Sequence, residues 1–282
     1  MKLKKIVLGL LLFTSFAFVG CGESNKADDK ETGKAVEANS DASSSDVSAE
    51  VQKIIDNGVF KVGVKVDVPK FGYKDTATNE VEGLEVDIAK AIAKEILGDE
   101  SKVETQAVTA KTRGPLLDNG EIDAVIATFT ITDERKQSYN FSDPYFTDGV
   151  GLLVKKDSGY TTLKDLDGKT IGVAQSSTTK DALQEEADKL GITLKFSEFS
   201  SYPEIKAALD SGRVDCFSVD AAILNGYVDD NSVILDDRYN PQEYGVATKK
   251  SNEGLAEVVN KVINDLKDSG ELDKLIEKWG IK

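Results

Sequence analysis

The 282-residue chain sets 35 Lys and Arg against 50 Asp and Glu for a formal net charge of −15, and its 30% charged and 40% hydrophobic content is that of a soluble globular protein rather than a disordered one. The acidic balance argues against nucleic-acid binding, which leaves a basic footprint. There is no histidine, which excludes Ser-His-Asp and Cys-His catalysis and His-ligated metal sites. With Cys21 and Cys216 the only cysteines and Met1 the only methionine, a zinc cluster or haem has almost no ligands to draw on. No cofactor is expected, and the chemistry falls to carboxylates, hydroxyls, amides, Lys and Arg.

Lys2, Lys4 and Lys5 precede an uncharged, mostly apolar run over residues 6–19. That run is shorter than the roughly 20 residues of a membrane span but suits a signal-peptide core. It ends in Phe18-Val19-Gly20-Cys21, which resembles a lipobox, with Phe18 and Val19 where a Leu and a small residue are usual. Residues 1–20 thus read as a lipoprotein signal peptide, and Cys21 as the acylated residue anchoring the chain outside the cytoplasm. Residues 21–50 hold eight acidic residues, three lysines and no aromatic, the composition of a disordered tether. The folded part is placed from about Val51 onward. Cys216 lies in an apolar alternation and reads as a core residue.

The folded part alternates strand and helix signals, an α/β pattern. Phe60, Val62, Val64 and Val66 alternate as in a strand, and Val86 to Leu97 carries helical spacing up to Gly98. Thr170–Ala174 reads as a strand, Thr178–Leu190 as a helix stopped by Gly191, and residues 254–279 as one or two helices. A weak internal repeat is more informative. Residues 116–128 align with 208–220 through Leu117/Leu209, Asp118/Asp210, Gly120/Gly212 and Asp123/Asp215, and Val62-Gly63-Val64-Lys65 pairs with Ile171-Gly172-Val173-Ala174. Two similar α/β lobes follow from this.

Ligands of open α/β sheets bind beyond the carboxyl ends of the strands. That rule selects Lys65, Thr128, Phe129, Thr130, Ser176, Ser177, Thr178 and Asp220, with Arg113 and Tyr202 at equivalent helix starts. With Arg135, this inventory suits a small zwitterion bearing one extra negative charge.

The stretch Asp123–Arg135 (DAVIATFTITDER), followed by Asn140-Phe-Ser-Asp-Pro-Tyr145, resembles the signature of the family 3 extracellular solute-binding proteins, the polar amino-acid receptors of ABC importers. The resemblance spans about residues 51–282. Residues 110–120, 172–175, 196–199 and 217–220 are most similar to the aspartate/glutamate-binding branch, the cell-binding-factor type. It implies a type II periplasmic-binding-protein fold, with lobe 1 at 51–146 and 244–282, lobe 2 at 147–243, and a two-strand hinge. It also implies a ligand site. Arg135 and Thr130 would take the α-carboxylate, a guanidinium fork suiting a carboxylate. Thr128 and Asp220 would take the ammonium. Thr178 or Ser177, at a helix start, would add donors to the carboxylate, with Thr178 and Asp181 also forming a capping box. Lys65 and Arg113 would pair the distal carboxylate, with Tyr202 either adding its hydroxyl or packing beneath, and Phe71 or Tyr73 as candidate lid.

The reading is therefore a lipid-anchored, monomeric, non-enzymatic receptor for aspartate or glutamate, partnered by an ABC permease and the membrane and not by nucleic acid. The alternatives are a receptor for glutamine or histidine, a cyclic-acid dehydratase on the same fold, and an adhesin.

Overall fold

The computed structural model describes residues 47–281. The signal-peptide segment, Cys21 and most of the acidic segment lie outside the described residues. Helix α1 (Ala49–Asn57) begins inside the segment assigned to the tether, because Val51 and Ile54 are buried against the folded body.

In chain order, α1 is followed by β1 (Phe60–Val64), a small hairpin sheet of β2 (Asp67–Val68), β3 (Gly72–Lys74) and β4 (Val81–Glu82), then α2 (Leu84–Leu97) and β5 (Val103–Ala107). Next come α3 (Arg113–Asn119), β6 (Ala124–Ile126), α4 (Asp133–Ser138), β7 (Tyr139–Phe141) and the long β8 (Phe146–Lys155). The second half holds β9 (Thr170–Ala174), α5 (Thr179–Leu190), β10 (Lys195–Phe199), α6 (Tyr202–Asp210), β11 (Cys216–Asp220), α7 (Ala221–Leu224) and β12 (Ser232–Ile234). The chain returns through β13 (Tyr239–Tyr244) and β14 (Ala247–Lys249) to α8 (Glu253–Asp268) and α9 (Glu271–Lys278).

The strands form two main sheets. One runs β5-β1-β6-β14-β7; the other runs β10-β9-β11-β8-β12, with β13 also paired to β8. β1 lies parallel to both β5 and β6, and β9 parallel to β10 and β11, as βαβ units require. β8 and β13 form an antiparallel ribbon from Tyr239↔Val150 to Tyr244↔Phe146, carrying the chain out of the first sheet and back into it.

The internal repeat has a physical basis. Asp123 accepts the Lys61 N–H through Oδ2 at 2.9 Å while its own N–H reaches the Lys61 carbonyl. Asp215 does the same to Thr170, also at 2.9 Å. Each aspartate thus clamps the start of the strand beside it. The matched glycines are forced as well: a Cβ on Gly63 would stand 2.6 Å from Ile122, and one on Gly172 2.6 Å from Ile205. At that distance a side chain enters only if the facing isoleucine moves.

The main apolar core joins α1, α2, β1, α8 and α9 to residues of α6 and β11, including Ile205, Phe217 and Val219. Two smaller cores cover the remaining faces, and Cys216 is buried in one of them, its thiol pushed up by burial. Among the described residues no helix is long and apolar enough to cross a membrane.

Candidate functional site

The parallel register sets the carboxyl ends of β1 and β6 side by side, Val64 opposite Ile126. Lys65 follows β1 and is 2% exposed, its Nζ 3.0 Å from Asp67 Oδ1 and 4.5 Å from the Tyr202 ring centroid. Burial lowers its pKa, and the Asp67 charge opposes that shift. Arg113, the first residue of α3, is 3% exposed and donates through Nη1 to the carbonyls of Ala127 (2.6 Å) and Thr128 (3.0 Å). Its Nε is buried without a partner among the described residues. Burial lowers its pKa too, yet a guanidinium retains its charge.

Phe129 gathers the arginines. The Arg113 guanidinium carbon lies 4.0 Å and that of Arg135 4.6 Å from its ring centroid, both in cation–π range. Arg135, half-buried on α4, donates to the Thr130 carbonyl at 2.8 Å and across to the Ser176 carbonyl beyond β9 at 3.2 Å. Desolvation and the neighbouring Arg113 lower its pKa.

Thr128 is buried with φ at +45°, in the left-handed region. Its N–H donates to Glu85 Oε1 at 2.5 Å, and its Oγ1 is buried without a partner among the described residues. Thr130 donates its hydroxyl to Gln242 Oε1 at 2.8 Å.

On the second sheet, Asp220 closes β11 and is 5% exposed. Burial raises its pKa to about 7, against the hydroxyl of Tyr244, which donates to Oδ2. Thr178 donates to Gln242 Oε1 at 2.7 Å, so one amide oxygen on β13 accepts from a threonine of each sheet's rim. Ser177 spends its hydroxyl on the Ala174 carbonyl at 2.8 Å. Tyr202 is buried and stacks on Phe217 at 6.2 Å, the packing alternative of its two expected roles.

The structure thus brings Lys65, Arg113, Thr128, Thr130, Arg135, Thr178, Tyr202 and Asp220 to facing strand ends. At their outer edge a cavity of about 550 Å³ is lined by Arg135, Ser176, Thr178 and Asn240 among others. A larger cavity of about 840 Å³ lies among α2, α8 and α9, away from these groups.

Two expectations are corrected. Thr178 does not cap α5 with its side chain, because its backbone is already helical (φ −79°, ψ −11°) and its hydroxyl points to Gln242. Phe71 is no lid. It is fully buried and packs edge-on against Phe146 (5.2 Å) and Tyr244 (6.0 Å), while Tyr73 stands exposed on β3.

Sequence reasoning missed Glu85, Gln242, Tyr145 and Tyr244 as supports of the site. Only Glu85 carried a local signal: a charged residue in line with Ile88, Ala89 and Ile92 on the buried face of α2.

The chain matches the bacterial extracellular solute-binding proteins, family 3, over residues 60–282. It is 37% identical over 281 residues to an ABC transporter glutamine-binding protein of Bacillus subtilis, covering 98% of this chain and 97% of that one. It is 41% identical over 252 residues to a glutamine-binding protein of Geobacillus stearothermophilus, covering 87% and 92%. Among solved structures it resembles an ancestral amino acid-binding protein described as a precursor of cyclohexadienyl dehydratase, with a TM-score of 0.73 and 33% identity over 81% of this chain and 98% of that one. The architecture is the type II periplasmic-binding-protein fold.

Proposed function

The chain belongs to the bacterial extracellular solute-binding proteins, family 3, and we propose that it is the receptor of an amino-acid ABC importer with a site for aspartate or glutamate. The observation that carries the acidic ligand is the buried charge inventory. Lys65, Arg113 and Arg135 converge, and of the three only Lys65 has a carboxylate salt bridge among the described residues, to Asp67, while both arginines donate to backbone carbonyls. A zwitterion with a second carboxylate balances the surplus cation. An uncharged side chain leaves that cation buried and unpaired, at a cost of several kcal/mol.

In this reading Arg135 and Thr130 hold the α-carboxylate, with Thr178 adding a donor once its hydroxyl turns from Gln242. Thr128 Oγ1 and Asp220 hold the ammonium. Lys65 and Arg113 take the distal carboxylate, with the Tyr202 ring as a wall. The lobes are residues 51–146 with 244–282, and 147–243, hinged through β8 and β13; Cys21 is the lipid anchor.

A second reading, a glutamine receptor, is favoured by the names of the two relatives.

Isothermal titration of the mature chain, stripped of ligand by unfolding and refolding, with aspartate, glutamate, glutamine and histidine separates them. Tight binding of the two acids alone supports the proposal. Preference for glutamine transfers the site to the second reading. Turnover of a prephenate-like cyclic acid, with no amino-acid binding, would favour a dehydratase.

A further inference from the structure

We infer that Glu85 is a positioning residue for ligand binding, holding Thr128 in the left-handed conformation that presents its side chain to the ammonium. The inference rests on the receptor reading above. Glu85 is the second residue of α2 and has no exposed surface. A carboxyl group on the apolar face of a helix is costly unless hydrogen-bonded. Its Oε1 accepts from the Thr128 N–H at 2.5 Å and from Tyr145 Oη at 2.6 Å, while Oε2 is buried without a partner among the described residues.

Thr128 is the residue those bonds act on. A β-branched residue at φ +45° is strained, and such a conformation persists only where its surroundings over-determine it. Here it is pinned at both ends: Glu85 takes its N–H, and Arg113 Nη1 donates to its carbonyl at 3.0 Å. Glycine would adopt this φ without strain, but would supply no hydroxyl. The pins come from α2 and α3, and both peptide groups flanking Thr128 are involved. Without Glu85, Thr128 is free to relax to negative φ. That rotation carries Oγ1 out of the cleft and disturbs the carbonyls that orient Arg113.

The test is aspartate titration of the intact mature protein and its variants. Glu85→Leu removes the acceptor and is expected to weaken binding by about tenfold or more, the scale of a buried N–H left unsatisfied. Glu85→Gln keeps an acceptor oxygen and is expected to stay within about threefold. In a Thr128→Gly background, where the backbone needs no pin, Glu85→Leu is expected to cost less than about threefold. The same loss in both backgrounds, or no loss from Glu85→Leu in a protein that binds aspartate, overturns the positioning role. A wild-type chain that binds no amino acid overturns the receptor reading and the inference with it, a pattern distinct from either of those. Should the leucine variant not fold, amide hydrogen exchange on the wild-type protein decides. A slowly exchanging Thr128 N–H supports the clamp, and a freely exchanging one overturns it.

Discussion

The rims of the two sheets are built differently. On the first, Lys65 is paired to Asp67 of the small hairpin sheet, and Arg113 and Thr128 are locked by the Ala127 and Thr128 carbonyls and Glu85. On the second, Thr178 and Asp220 are held by β13, through Gln242 and Tyr244. The first rim is a cationic surface held mostly from its own side, with three links across: Lys65 beside the Tyr202 ring, Thr130 on Gln242 and Arg135 on Ser176. The second rim is tied to the ribbon that joins the sheets, so its groups are in place only when that ribbon holds this conformation. In the proposed receptor, that contrast assigns loading to the first rim and closure to the second.

Four substitutions break or sharpen this contrast. Arg135→Ala removes the guanidinium nearest the mouth and its link to Ser176. It is expected to weaken every amino acid by about 100-fold, the loss of a charge-assisted pair in a partly buried site, measured by titration calorimetry. Arg113→Met is expected to cost aspartate at least about tenfold more than glutamine; equal losses for the two would falsify its assignment to the distal carboxylate.

Asp220 gives a pH dependence on the second rim alone. Its pKa, raised to about 7, means that the folded, ligand-free protein holds a proton there that an unfolded chain releases near the ordinary carboxylate value. Its contribution to stability is therefore present at acid pH and lost as pH rises toward and through 7. A ligand ammonium favours the ionised form, so binding expels that proton. Affinity is expected to rise by several-fold from pH 6 to pH 7.5, with proton release visible in buffers of different ionisation heat. Asp220→Asn should abolish that release, and release that survives it would point to another group.

The smallest effect is expected at Gly226, which follows α7. A Cβ there would stand 2.8 Å from the Pro69 ring in the hairpin beyond β1. Gly226→Ala must push that contact apart, and it is expected to weaken binding by about two- to fivefold with the first rim undisturbed. A tighter-binding Gly226→Ala protein would show that this contact opposes closure.

Much of the frame was legible before any coordinates. Period-two and helical spacings placed β1, α2 and β9, and the Asp123/Asp215 match exposed the duplicated strand–helix unit. The strand-end rule then chose Lys65, Arg113, Thr128 and Asp220 with no knowledge of their partners. The partners were hidden because they come from elsewhere in the chain. Glu85 and Thr128 are 43 residues apart, and Thr130 and Gln242 are 112 apart. Only folding makes them neighbours. The Thr178 cap failed for a related reason: local spacing proposes a bond to the next turn, but a buried glutamine amide from β13 offers the hydroxyl a better acceptor.

The β8–β13 ribbon has a mechanical consequence. Two strands joined by a ladder resist sliding and in-plane bending, because hydrogen bonds must then lengthen, and yield most easily out of their plane. The irregularity in register between Tyr239 and Pro241, opposite Val150 and Gly149, marks where the ladder is weakest. The hinge therefore has essentially one soft axis. Gln242 and Tyr244 lie on the ribbon itself, whereas Ser176 and Gly226 lie outside it. In the proposed receptor, rotation about the ribbon is expected to part Arg135 from Ser176 and Pro69 from Gly226 before it disturbs the bonds made on the ribbon itself.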